Sequence, residues 1–151
     1  MTKDMVNIGN VFWKDGIYLL KNNNFTQALE KFKKALDFFQ EQNNNIGISS
    51  SILGIALVNL SLKNYDIALD NFNRGLSIVK EIDYKPGISS FLMNRGLLFQ
   101  EIRKFDKALK DLKSSLSILE EVNDENAINN VKSLIKRCEK EKNINIKLSD
   151  R

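Results

Sequence analysis

Few residues in this sequence could do chemistry on their own. There is no histidine, which removes the commonest general base and the commonest neutral metal ligand. A zinc site needs several Cys or His ligands, and Cys138 is the only cysteine. A lone cysteine also cannot form an internal disulfide, which agrees with a reducing compartment. Carboxylates are plentiful, 19 against 23 lysines and arginines. Nearly all of them stand beside Lys or Arg, the pattern of solvated helix faces rather than of a paired acid and base. Gly9 and Gly16 fall inside a helical stretch and not between a strand and a helix, so no glycine loop is placed to cradle a phosphate. These residues predict no catalytic centre, no cofactor and no metal, and therefore a chain that is not an enzyme.

The elements that would position side chains are more explicit. Sliding the sequence by 40 residues aligns Asn24-Phe25-Thr26-Gln27-Ala28-Leu29 with Asn64-Tyr65-Asp66-Ile67-Ala68-Leu69 and with Lys104-Phe105-Asp106-Lys107-Ala108-Leu109. Phe32, Phe72 and Leu112 share the grid, as do Ala35, Gly75 and Ser115, and upstream the small residues Gly16, Ala56 and Gly96. Gly47-Ile48-Ser49-Ser50 returns as Gly87-Ile88-Ser89-Ser90. A register held over most of a chain marks stacked copies of one supersecondary unit. Within a unit Ala28, Leu29, Phe32, Ala35, Leu36 and Phe39 recur at three- and four-residue steps, one stripe along a helix. Each unit reads as a helix, a tight polar turn and a second helix, with Asn24 and Asn64 placed to cap second helices. Pro86 stands at the start of the fifth helix, where its missing N–H costs nothing. Close crossing of paired helices needs small side chains, which predicts Gly16 against Ala28, Ala56 against Ala68 and Gly96 against Ala108.

Small residues on one helix and Phe25, Tyr65 and Phe105 opening the other resemble the tetratricopeptide repeat over about residues 8 to 122. The usual unit of that family is about 34 residues; the 40-residue spacing resembles its longer-repeat members, which include kinesin light chains, cell-polarity adaptors and bacterial peptide-pheromone receptors. The resemblance implies an all-α fold, a right-handed superhelical array of three helix-turn-helix hairpins at about 8–42, 48–82 and 88–122. A C-terminal capping helix over about 125–142 would close the array and complete a single domain of residues 1–142. Val131, Leu134, Ile135 and Cys138 form the apolar stripe of that cap, with Cys138 as packing, and 143–151 is expected to fray. Asp15 and Arg95 depart from the family pattern at a first-helix position that is commonly apolar.

In such arrays the first helix of each pair lines a concave face. Counting one turn either way from Gly16, Ala56 and Gly96 gives Trp13, Ile17 and Leu20; Leu53, Leu57 and Leu60; and Met93, Leu97 and Gln100, eight of these nine being apolar. An inner face of that composition predicts a groove for an apolar or amphipathic segment of a partner protein. Packing of the same residues on one another, or cover by the tail residues Ile144, Ile146 and Leu148, is the competing expectation. The Lys, Asn and Arg with which chaperone-binding members grip a C-terminal carboxylate are replaced here by Trp13, Ile17, Gly54, Ser90 and Asn94. Of the first-helix Asn ladder that bonds a peptide backbone, Asn94 matches but Lys14 and Gly54 do not.

The resulting expectation is a protein-interaction module, an adaptor or chaperone-like scaffold, with a self-assembling scaffold as the alternative. Net charge is +4 with both signs interleaved, too mild for a nucleic-acid face, and RNA contact through Lys132, Lys136, Arg137 and Lys140 ranks last. The start Met1-Thr2-Lys3-Asp4-Met5 has no apolar run, and Ile52 to Val58 is far shorter than the roughly 20 residues of a membrane crossing, so a cytoplasmic location is expected.

Overall fold

A computed structural model describes residues 3–149, with side chains over 8–149. The described residues form seven α-helices and no strand: α1 Lys3–Lys21, α2 Phe25–Glu41, α3 Asn45–Ser61, α4 Tyr65–Glu81, α5 Lys85–Glu101, α6 Phe105–Glu121 and α7 Glu125–Ser149. The chain is thus an all-α array of helix hairpins, α1–α2, α3–α4 and α5–α6, followed by α7. Packing falls into two compact units, Met1–Gly87 and Ile88–Arg151.

Helix spacing is set by one turn repeated six times. Asn23, Asn43, Lys63, Asp83, Arg103 and Asn123 all have left-handed φ between 49° and 60°. The next residue's N–H reaches back to a carbonyl in the last turn, as in Asn24 N to Leu19 O at 2.9 Å and Lys104 N to Phe99 O at 2.7 Å. That is a helix end in which the left-handed position satisfies orphan carbonyls, with Asn, Asp, Lys or Arg where Gly is usual. The caps differ from expectation. Asn24 and Asn64 make no side-chain cap bond, their ψ of 65° and 66° falling short of extended backbone. Asn44, with ψ of 90°, accepts from Gly47 N at 3.0 Å, and Asp124 accepts from Ala127 N at 3.0 Å.

In the first unit, Phe32 and Phe39 of α2 stand seven residues apart, as do Gly9 and Gly16 of α1 and Gly47 and Gly54 of α3. A Cβ on Gly16 would meet the Phe32 ring at 2.7 Å and one on Gly54 would meet it at 2.4 Å; Gly9 and Gly47 stand in the same relation to Phe39, at 2.9 and 2.3 Å. Each ring therefore lies between two glycines. This corrects the expected pairing of Gly16 with Ala28: Ala28 is fully buried, but the atoms nearest the missing methyl belong to Phe32. α3 is buried on several sides, and its polar residues bond their own helix: Ser51 Oγ to Gly47 O at 2.9 Å and Asn59 Nδ2 to Ile55 O at 2.9 Å.

In the second unit Gly96 does approach its predicted partner, with Ala108 O 3.3 Å and Leu112 Cγ 3.0 Å from a Cβ built on it. Ser115, the third of the small grid residues, donates to Ser89 O at 2.9 Å and ties α6 to α5. α7 packs Val131 and Cys138, both fully buried, and continues to Ser149 instead of ending at 142. The stretch expected to fray has no Gly or Pro to break it. It is held by Lys142 Nζ to Asp106 Oδ1 at 2.6 Å and by Arg103 donating to Asn145 Oδ1.

Candidate functional site

The candidate residues sit where a first helix turns one side to its neighbours and the other to solvent. On α1, Trp13, Ile17 and Leu20 are half-buried and pack against a cluster of Ala28, Phe32, Ile55 and Val58. Trp13 Nε1 donates to Ser50 O at 3.2 Å, which fixes the indole on α3 with its ring edge beside a cleft of about 190 Å³ that Phe39, Asn44 and Ile46 also line. On α3, Leu53, Leu57 and Leu60 are half-buried, each one helical turn from the next. In this unit the predicted face therefore both packs inward and shows apolar surface outward.

In the second unit Met93, Asn94 and Leu97 are half-buried on α5. Asn94 Nδ2 donates to Ser90 O at 2.8 Å, an internal helix bond that uses one of its two amide hydrogens. Gln100 is removed from the face: it is buried, and its Nε2 donates to Glu141 Oε2 of α7 at 2.8 Å. The tail residues Ile144, Ile146 and Leu148 remain exposed, so they are not buried as a cover.

The two departures from the family pattern turn out to be partnered. Arg95 grips Asp111 with two bonds, Nε to Oδ2 at 2.7 Å and Nη2 to Oδ1 at 2.9 Å. Asp15 faces Lys31 at 3.6 Å, the same two grid positions with the charges exchanged. Both pairs span the hairpin sixteen residues apart, and a search for opposite charges at that offset would have found them in the sequence. Lys34 beside Glu30 at 2.7 Å holds the Glu30 carboxyl below its usual range. Burial pushes the Cys138 thiol up, with Glu141 and Glu139 adding to the effect. Among the described residues no group of His, Cys, Asp and Glu could hold a metal ion, and no helix is long and apolar enough to cross a membrane.

A family profile described as the tetratricopeptide repeat matches residues 48–121. Residues 48–121 are tetratricopeptide repeat. Comparison with curated proteins by sequence finds no match. Among solved structures, this chain is similar to aspartyl phosphate phosphatase F from Bacillus subtilis, with a TM-score of 0.88 and 19% identity over 99% of this chain and 39% of that one. The apo form of RapI gives 0.81 and 21% over 97% and 41%. The C-terminal TPR-containing domain of a Plasmodium falciparum protein gives 0.62 and 21% over 93% and 95%. The chain thus spans about two fifths of the length of the first two, and at these identities the likeness is one of fold.

Proposed function

We propose that this protein is a non-enzymatic protein-binding module whose first-helix faces take an apolar or amphipathic segment of a partner. The observation that supports it is the state of one class of position. Trp13, Ile17 and Leu20 on α1, Leu53, Leu57 and Leu60 on α3, and Met93 and Leu97 on α5 are all apolar and all only partly buried. A face that only needed to be solvated would carry polar residues there, as exposed positions of the second helices do with Lys33, Asp70 and Lys110. Trp13 is the anchor, a rigid ring already held by Ser50 O, so little side-chain entropy is lost when a partner covers it. Lys14 and Gly54 stand where an asparagine ladder would continue from Asn94, which makes burial of apolar surface the main source of affinity in this reading. The phosphatase named in the first structural neighbour is not carried over, because at 19% identity fold is what the two chains share.

The test is affinity capture from the source cell with wild type beside Leu57→Ser/Leu97→Ser, circular dichroism and melting showing that both are folded. Partners lost from the variant support the reading. Retention of every partner contradicts it.

A further inference from the structure

The 40-residue register allows the same position to be compared in four first helices, and one face of α1 stands apart. Val11 corresponds to Ser51, Phe91 and Val131, which are at most 1% exposed, yet Val11 is 50% exposed. Tyr18 corresponds to Val58, Leu98 and Cys138, all 0% exposed, yet it is 68% exposed. Ile8, one turn before Val11, is also open to solvent.

What covers the matching face elsewhere is known within each unit. On α3 the stripe Gly47, Ser51, Gly54 and Val58 is the one that receives α2, with Phe39 and Phe32 seated on the two glycines. On α7, Val131 and Cys138 face α6, and the Cys138 thiol lies 3.9 Å from Phe105 O. In both cases the cover is a second helix carrying large apolar residues seven apart: Phe25, Phe32 and Phe39 on α2, and Phe105, Leu112 and Leu119 on α6.

We infer that the Ile8–Val11–Tyr18 face of α1 is a docking surface for an amphipathic helix of a partner protein, seated as α6 is seated on α7. The chemistry of the face says which kind of helix. The glycine seat of α3 is replaced on α1 by Lys14, where α7 has Leu134. An aromatic ring cannot press on the backbone there, so the central residue is aliphatic, as Leu112 is. The exposed Lys14 favours an acidic residue beside it, much as Glu120 of α6 lies 4.0 Å from Lys132 of α7. Next to Tyr18 a hollow of about 470 Å³ opens between α1 and α2, lined also by Asp15, Leu19, Gln27, Glu30 and Lys31, with room for a long polar side chain at one end of the incoming helix. This surface is separate from the Leu57 face of the proposed function, so either can fail alone.

The probe is a fluorescein-labelled synthetic peptide of the α6 sequence, Phe105–Glu121, titrated with the full chain and read by anisotropy. Val11→Asp/Tyr18→Asp is the test variant and Ile67→Asp, an exposed apolar residue of α4, the control. Circular dichroism and melting are run on all three proteins. Saturable binding that weakens at least tenfold in the double variant and is unchanged in Ile67→Asp is the expected result. No binding, or equal affinity for wild type and double variant, overturns the proposal; the latter would show the peptide replacing α6 itself. A dimer in sedimentation equilibrium that the double variant dissociates also overturns it, because a second copy would then be the occupant.

Discussion

A Cβ built on Gly54 would stand 2.4 Å from Cε1 and 2.7 Å from Cγ of Phe32. The near atoms include the root of the ring as well as its edge, so rotation of Phe32 cannot relieve the clash. Phe32 is fully buried, and Gly16 closes on it from α1 at 2.7 Å. The first three helices are thus held at the distance one phenyl ring allows.

Gly54→Ala is accordingly expected to destabilise by about 1–3 kcal/mol, the usual cost of overpacking. In an exposed helix interior the same change stabilises by up to roughly 1 kcal/mol, so the sign of the effect, read by urea unfolding, decides whether the ring is seated as described. Phe32→Leu in the Gly54→Ala background should recover part of the loss, a coupling expected only between touching residues.

The two charged pairs across hairpins should differ in worth. Asp111 is nearly buried and doubly bonded by Arg95, so Asp111→Ala is expected to cost about 1–3 kcal/mol by removing two charge-assisted bonds. Lys31→Ala, at the more exposed pair with Asp15, should cost under about 1 kcal/mol. Melting both variants beside wild type checks the order.

Lys63 holds a left-handed φ of 60° with a branched-free but bulky side chain. Lys63→Gly removes the Cβ penalty of roughly 1–2 kcal/mol for that conformation, partly offset by the greater freedom of glycine in the unfolded chain. A rise in Tm of about 1–4 °C is expected for a chain of this size. A fall would show that the Lys63 side chain contributes more than its backbone strain costs.

Cys138 should react slowly. It is fully buried, and burial together with Glu141 and Glu139 raises its thiol above the ordinary range, which suppresses the thiolate that attacks alkylating reagents. Iodoacetamide labelling at pH 8 is expected to be at least tenfold slower in the folded chain than in urea. Because the folded pKa is raised, stability from this group is intact at neutral pH and falls only as pH rises past the ordinary thiol range towards the folded value.

Much of this fold is written in single residues. Ala28, Ala68 and Ala108 lie on one grid and are all fully buried, because a helix crossing tolerates little else at that place. What the spacing could not show is which atom fills the gap opposite a glycine. Gly16 has both Ala28 and Phe32 on the facing stripe, and only the rotation of α2 selects the ring. Asn24 and Asn64 are cap residues by type, but capping depends on ψ, which residue type does not determine. The candidate face is legible as composition, since Leu53, Leu57 and Leu60 sit one turn apart, whereas the loss of Gln100 to Glu141 is a contact 41 residues away. Polar composition alone suggests fraying after 142, whereas α7 runs on to Ser149 through contacts the composition does not carry, Lys142 and Asn145 having partners on α6 and in the turn before it.

The most direct test of the binding role places a photo-crosslinking p-benzoylphenylalanine at Leu57 or, as control, at Asp70, which is exposed on α4, and irradiates the source cell. The account predicts a discrete protein adduct from position 57 and none from position 70. Adducts from position 70 alone, or equal yields from both, would contradict it.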